Sequence, residues 1–394
     1  MVCLDDRIRK IKELYVDRGK YFVINRGRQY GKTTTLMALA EYLKEEYIVF
    51  SLDFQMMSTA NFVEEQIFTE KFIGLMDRIY TRNREMMEGI DTEAFRKLLA
   101  LTEVDDLSMD QMFEGISELC EKSARPVVLI IDEVDSASNN RVFVDFLAML
   151  RGYYLNRWMG LTFRSVILAG VYDIRNLKLK IRPDEEHQYN SPWNIAAAFD
   201  VPMSFSTDQI AGMLAEYEAD HHTGMDVGEV AGTLYQYTSG YPYLVSALCK
   251  IMDEKLPWQE AFTDAACIWT TRGVEEAVKE VLRSKTMLFD SMTKHISEYP
   301  DLKKMLYAML FQGETVAYNQ YNHTIELAHM FGYVVDDSGH VRVANRIFET
   351  CLYNLFLSEE EVSSAISKMA KQSADQFVSE AEVNIVDALP FAVG

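Results

Sequence analysis

Residues 21–39 read YFVINRGRQYGKTTTLMAL, and the reading of this stretch decides the fold. Tyr21-Phe22-Val23-Ile24 is a short apolar run of the kind that forms a buried strand. Asn25 to Tyr30 reads as a loop, and Gly31-Lys32-Thr33-Thr34 opens an amphipathic helix with Leu36, Leu39, Ala40 and Leu43 on one face. A strand, a glycine-bearing loop and Gly-Lys-Thr at a helix start make a cradle for phosphates. Backbone N–H groups and the positive end of the helix dipole face the anion there. In that reading Lys32 reaches the β- and γ-phosphates and the Thr33 hydroxyl holds Mg²⁺. The plainer alternative is an ordinary strand-loop-helix with a chance Gly-Lys-Thr. The stretch departs from the usual pattern in one respect: Arg26 stands where the first glycine belongs, and Gly27 comes one place late.

A second stretch, PVVLIIDEVD at 126–135, bears on the first. Its unbroken apolar run predicts a strand buried on both faces, hence a parallel sheet covered by helices. It ends in Asp132-Glu133. An acid at such a strand tip completes a Mg²⁺ site, usually through water, and a glutamate just beyond it can orient and deprotonate an attacking water. The two stretches lie about a hundred residues apart and support each other more than either supports itself. Residues 164–171 (RSVILAGV) predict a further buried strand. Its tip is Ala169-Gly170, with Tyr172 and Asp173 just after it, so either a later residue senses a γ-phosphate or the sensing is weak.

Composition bounds the class. The 394 residues are 48% hydrophobic and 25% charged, as in an ordinary globular protein. No apolar run is long enough to span a membrane, and the charged N-terminus shows no signal peptide. Cys3, Cys120, Cys249, Cys267 and Cys351 are scattered without a CxxC pair, which argues against zinc or a disulfide framework and fits a reducing cytoplasm. With 39 basic against 60 acidic residues the net charge is −21. Such a surface repels a phosphate backbone, so nucleic acid is not expected to bind the bulk surface.

The remaining pattern alternates and then turns helical. Helices are predicted over 5–16, 60–80, 92–101, 108–123 and 140–157, with a strand at 47–54 ending in Asp53. Arg175 to Arg182 is the one clearly basic run, residues 182–196 read as a loop, and 199–205 reads as a short last strand. From Ser206 helices dominate: Ser206 and Gln209 form a capping box, 238–243 (TSGYPY) breaks the pattern, and a new helix starts at Leu244. The adjacent His221 and His222 cannot share a helix face and read as solvated. One long helix is predicted over 273–295, others over 301–311 and 320–330, and a hairpin over 332–344 (GYVVDDSGHVRVA). Three helices and a hairpin are a winged-helix order, yet residues 321–327 carry no Lys or Arg. That argues for a packing or regulatory module over a DNA reader. The tail from Ser358 is charged and weakly periodic.

Together, INRGRQYGKTTTL, VVLIIDEVD and SGYPYLV resemble the AAA-like ATPases of bacteria and archaea, in the ASCE division and close to the STAND signalling ATPases. The resemblance implies an α/β P-loop NTPase core with a parallel sheet of order 5-1-4-3-2, then a helical lid and a winged helix. The corresponding units are 1–205, 206–298 and 299–357, with a tail at 358–394. It further implies a Mg²⁺-dependent ATPase in which Gly27, Arg28, Gln29, Tyr30, Gly31, Lys32, Thr33 and Thr34 cradle the triphosphate and Pro242 contacts the adenine. Lys32 and Glu133 are the expected catalytic pair, and Thr33 and Asp132 the metal ligands. Arg151, Arg157 and Arg175 are candidate arginine fingers. A protein partner or self-association is expected, with ATP and ADP as the small-molecule partners and no membrane. Relatives of this kind often continue into a PD-(D/E)XK nuclease-like domain, of which these residues carry no strand-acid signature. A nucleotide-stabilised interaction module without useful turnover and a winged-helix DNA-binding regulator are the competing readings.

Overall fold

Strands β1 (Phe22–Asn25), β2 (Ile48–Asp53), β3 (Val127–Asp132) and β4 (Ser165–Gly170) pair in parallel in the order β1-β4-β3-β2. The structure is a computed structural model and describes residues 2–137, 140–171, 193–262 and 265–363. Successive side chains of each strand enter opposite cores, as the two-residue period of a strand requires. Val23, Phe50, Leu129 and Leu168 face one core, while Ile24, Val49, Ile130 and Ile167 face the other. The first core is closed by α3 (Glu65–Arg82), α5 (Met109–Lys122) and α6 (Arg141–Leu155), the second by α1 (Asp5–Ile11) and α2 (Lys32–Leu43). Between α3 and α5 lies α4 (Thr92–Ala100), capped by the Asp91 side chain. The capping box read at Ser108 and Gln111 forms at the start of α5.

Because the strands are parallel, their C-terminal ends share one edge of the sheet. Asp53 is in register with Asp132, and Asn25 with Gly170. In open α/β sheets this edge is where ligands bind.

No strand forms over 199–205 among the described residues, contrary to the sequence expectation. Side chains occupy the backbone groups that a ladder with β1 would need. The Tyr15 hydroxyl donates to Ala198 O at 2.9 Å and accepts from Asp200 N at 3.0 Å. Arg26 donates to Phe199 O at 3.2 Å and Arg7 to Met203 O at 2.8 Å. Pro202 has no N–H to offer. A single parallel bridge, Phe22 to Ala197, marks the edge where a fifth strand would lie.

The second half is helical: α7 (Thr207–His221), α8 (Val227–Thr238), α9 (Pro242–Glu254), α10 (Thr271–Arg283), α11 (Met287–Glu298), α12 (Pro300–Phe311) and α13 (His323–Met330). An antiparallel hairpin, β5 (Val334–Asp337) and β6 (His340–Val343), and then α14 (Arg346–Ser363) follow. The predicted long helix over 273–295 is two helices. The Ser284 hydroxyl turns back to Glu280 O at 2.7 Å and Thr286 caps α11 through Phe289 N, so local side chains end one helix and start the next. The hairpin turns at Ser338 and Gly339, with φ of 55° and 86°, the two-residue turn that strand twist favours. Helix α14 carries the chain past Ser358, where a weakly periodic tail was expected. Residues of α7 to α14 and the hairpin share one core, which also takes in Val171 at the end of β4.

Candidate functional site at the C-terminal edge of the sheet

The loop between β1 and α2 is built around two glycines with different duties. Gly31 has φ of 76° and is the N-cap of α2 with no side-chain cap bond. That left-handed conformation favours glycine and leaves the first amides of the helix without a side-chain cap. Gly27 has no such backbone need. A Cβ there would meet Phe331 O at 2.5 Å, so a glycine is required because the turn after α13 lies directly on the loop. Arg26 likewise has ordinary backbone angles, and its guanidinium turns away to Asn25 O, Phe199 O and the Phe199 ring at 5.6 Å. The glycine that sits one place late is thus explained by a tertiary contact.

Lys32 is buried, with Nζ donating to Arg26 O at 2.9 Å and Gly27 O at 3.1 Å. Burial lowers its affinity for the proton, while Glu133, Asp135 and Asp132 raise it. Thr33 Oγ1 donates to Asp132 Oδ2 at 2.6 Å, joining the start of α2 to the end of β3. The other Asp132 oxygen accepts from Glu133 N at 2.9 Å. That bond accompanies a positive φ of 53° at Glu133, a conformation that costs energy in a non-glycine residue. Burial pushes the Glu133 carboxyl above its ordinary range and Asp132 adds to the push, with Lys32 opposing. Gln29, with φ of 57°, has a buried Oε1 with no hydrogen-bond partner, an orphaned acceptor inside the loop.

The start of α9 reaches the same loop. Tyr241 donates from its hydroxyl to Arg28 O at 2.5 Å and packs edge-on against Tyr30 at 4.6 Å. Tyr30 in turn bonds Ser204 at 2.8 Å. Pro242, the first residue of α9, is buried with its Cβ 3.9 Å from where a Gly31 Cβ would stand. Gly332, with φ of 78°, faces both tyrosine rings.

Gly27, Arg28, Gln29, Tyr30, Gly31, Lys32, Thr33, Thr34, Asp132, Glu133 and Pro242 therefore come together. Arg157 does not join them: it donates to Gly19 O at 3.0 Å, before β1 and at the opposite end of the sheet. Arg151, on α6, keeps a buried Nε without a partner. Arg175, the basic run 175–182, Tyr172 and Asp173 lie outside the described residues. The sequence reading missed three features: the turn at Phe331-Gly332, the Tyr30–Tyr241 pair and the position of Asp135. Only Asp135 left a signal, as the last acid of IDEVD. Among the described residues no group of three or more His, Cys, Asp or Glu could hold a metal ion by itself, and no helix is long and apolar enough to cross a membrane.

A family model described as an AAA-like domain matches residues 8–349. The chain belongs to that family of P-loop ATPase-like domains. Its fold is similar to the Walker-type ATPase PABY2304 of Pyrococcus abyssi, at 14% identity and a TM-score of 0.59 over 90% of this chain and 96% of that one. The ORC2 protein of Aeropyrum pernix, in ADPNP–ADP complexes, matches at 12% identity and a TM-score of 0.46, covering 91% of this chain and 95% of that one. No curated protein matches the sequence significantly.

Proposed function

We propose that the protein binds ATP with Mg²⁺ and hydrolyses it slowly, using the cycle to move its lid and C-terminal module relative to the sheet. The observation that carries this reading is the 2.6 Å bond from Thr33 to Asp132, with Lys32 and Glu133 beside it. Phosphoryl transfer asks a protein mostly for positioning and charge stabilisation, and this set supplies both. Lys32 balances the β/γ oxygens, the backbone of Gly27 to Thr34 holds the triphosphate, and Pro242 packs on the base. Glu133, its proton affinity raised by burial, takes the proton of the attacking water. Thr33 and Asp132 offer a hydroxyl and a carboxylate, hard oxygen donors suited to Mg²⁺. When bound, the cation neutralises phosphate charge.

Movement follows from the contacts of Phe331 with Gly27 and of Tyr241 with Arg28. Any change in the loop on binding nucleotide is felt by both modules. We propose the units 1–205, 206–298 and 299–357, the last a winged helix and the core carrying a fifth strand position at Ala197. A cytoplasmic signalling or defence role rests on resemblance and on the free cysteines. DNA binding is the weaker reading, because α13 has no Lys or Arg. A module that binds nucleotide without turnover is favoured by one feature, the bare Ala169-Gly170 tip.

The test is nucleotide binding and turnover by the full chain, with size exclusion in the presence and absence of ATP and Mg²⁺. Lys32→Ala should lose ATP binding, while Glu133→Gln should keep binding and stop hydrolysis. Wild-type turnover in Glu133→Gln would remove the base assignment. Binding with no turnover in the unmodified protein selects the module reading.

A further inference from the structure

The β3–β4 ladder ends at Ile131 and Leu168, so Ala169 and Gly170 run on beside β1 alone. Gly170 does not have a positive φ, and its backbone would accept any residue. What keeps it a glycine is crowding: a Cβ there would stand 2.8 Å from Asp135 Oδ1 and 3.0 Å from Val134 Cγ2. The other Asp135 oxygen accepts from Val171 N at 2.5 Å. Asp135 sits on the short turn Val134–Ala137 that follows Glu133. The far side of that turn is held as well, with Ser136 Oγ 3.2 Å from Phe54 O beyond β2 and 2.9 Å from Glu133 O.

We infer that Asp135, held between the β3 turn and the end of β4, is a positioning residue for Glu133. The carboxylate bridges the gap where the ladder stops, and its bond to Val171 N fixes how far the turn can swing from β4. Glu133 is the residue whose backbone pays in strain for that turn, so its aim at a substrate depends on both ends being held. Side-chain bulk at 170 and the Asp135 carboxylate are alternatives for one space.

This inference rests on the proposed ATPase activity, and the experiment separates the two. Asp135→Ala in the full chain should lower kcat about 100-fold, as misplacing a reacting group does, with KM for ATP and nucleotide affinity changed less than about twofold. Asp135→Asn, whose amide oxygen can still accept from Val171 N, should recover most of kcat. Gly170→Ser alone should be impaired, and Gly170→Ser combined with Asp135→Ala should turn over faster than either single variant. Wild-type kcat in Asp135→Ala overturns the inference, as does equal loss of kcat and ATP affinity. If Asp135→Ala does not fold, Asp135→Asn decides: as poor a kcat as Glu133→Gln overturns the inference. Absence of turnover in the unmodified protein refutes the ATPase reading itself.

Discussion

Replacing Gly27 by alanine tests whether the turn after α13 rests on the loop between β1 and α2. Ordinary van der Waals contact begins at 3.4 Å, and the added Cβ would lie 2.5 Å from Phe331 O, so one side must retreat by the difference, 0.9 Å. Both sides are backbone, and no rotamer change relieves the clash. Overpacking of this size costs about 1–3 kcal/mol. The cost falls on the turn after α13, where Gly332 N bonds His329 O and Tyr333 N bonds Ala328 O, each at 2.9 Å. Opening that turn by about 1.4 kcal/mol raises exchange of those amides about tenfold. Hydrogen exchange by mass spectrometry, read over residues 323–344, measures it. Gly31→Ala is the control: its Cβ has open space, nearest Pro242 Cβ at 3.9 Å, so strain from φ of 76° should disturb the loop and leave the module protected. Wild-type protection of residues 323–344 in Gly27→Ala would refute the contact as the reason for that glycine.

Two further outcomes follow from the same loop. Arg26→Gly restores the usual phosphate-loop pattern but deletes the bond to Phe199 O and the stacking on Phe199, so it should destabilise by about 1–3 kcal/mol without tightening ATP; unchanged melting with tighter binding would contradict this. His329 has its proton affinity lowered by burial and then by Arg26, while the Val334 backbone and Asp336 act the other way. Its folded pKa therefore lies below 6.5, the unfolded state binds more protons in that window, and stability should fall as pH drops from about 6.5. His329→Gln should flatten that slope in melting curves taken between about pH 5 and pH 7.5, and an unaltered slope would count against it.

Much of the core was legible because its signals are local. The apolar runs of β1, β3 and β4, the Gly-Lys-Thr helix start and the caps at Ser108 and Ser206 each state their own structure within a few residues. The failures share a cause too. Residues 199–205 look like a strand, yet Tyr15, Arg7 and Arg26 capture their backbone groups from far along the chain. The break between α10 and α11 was written in Ser284 and Thr286, but helical periodicity on both sides masked it.

By itself the sequence determined that a buried strand, a glycine-bearing loop with Gly-Lys-Thr at a helix start, and an acid-tipped strand exist, because each is signalled within a few residues. Only the tertiary structure decided what stands around them. Parallel pairing brought Asp53 beside Asp132, and packing laid Phe331 on Gly27 and Tyr241 against Tyr30. The same packing set Asp135 into the space at Gly170. Those contacts join residues far apart in the chain, and no local pattern encodes which distant surface will arrive. The glycines at 27 and 170 are the marks those contacts left on the sequence.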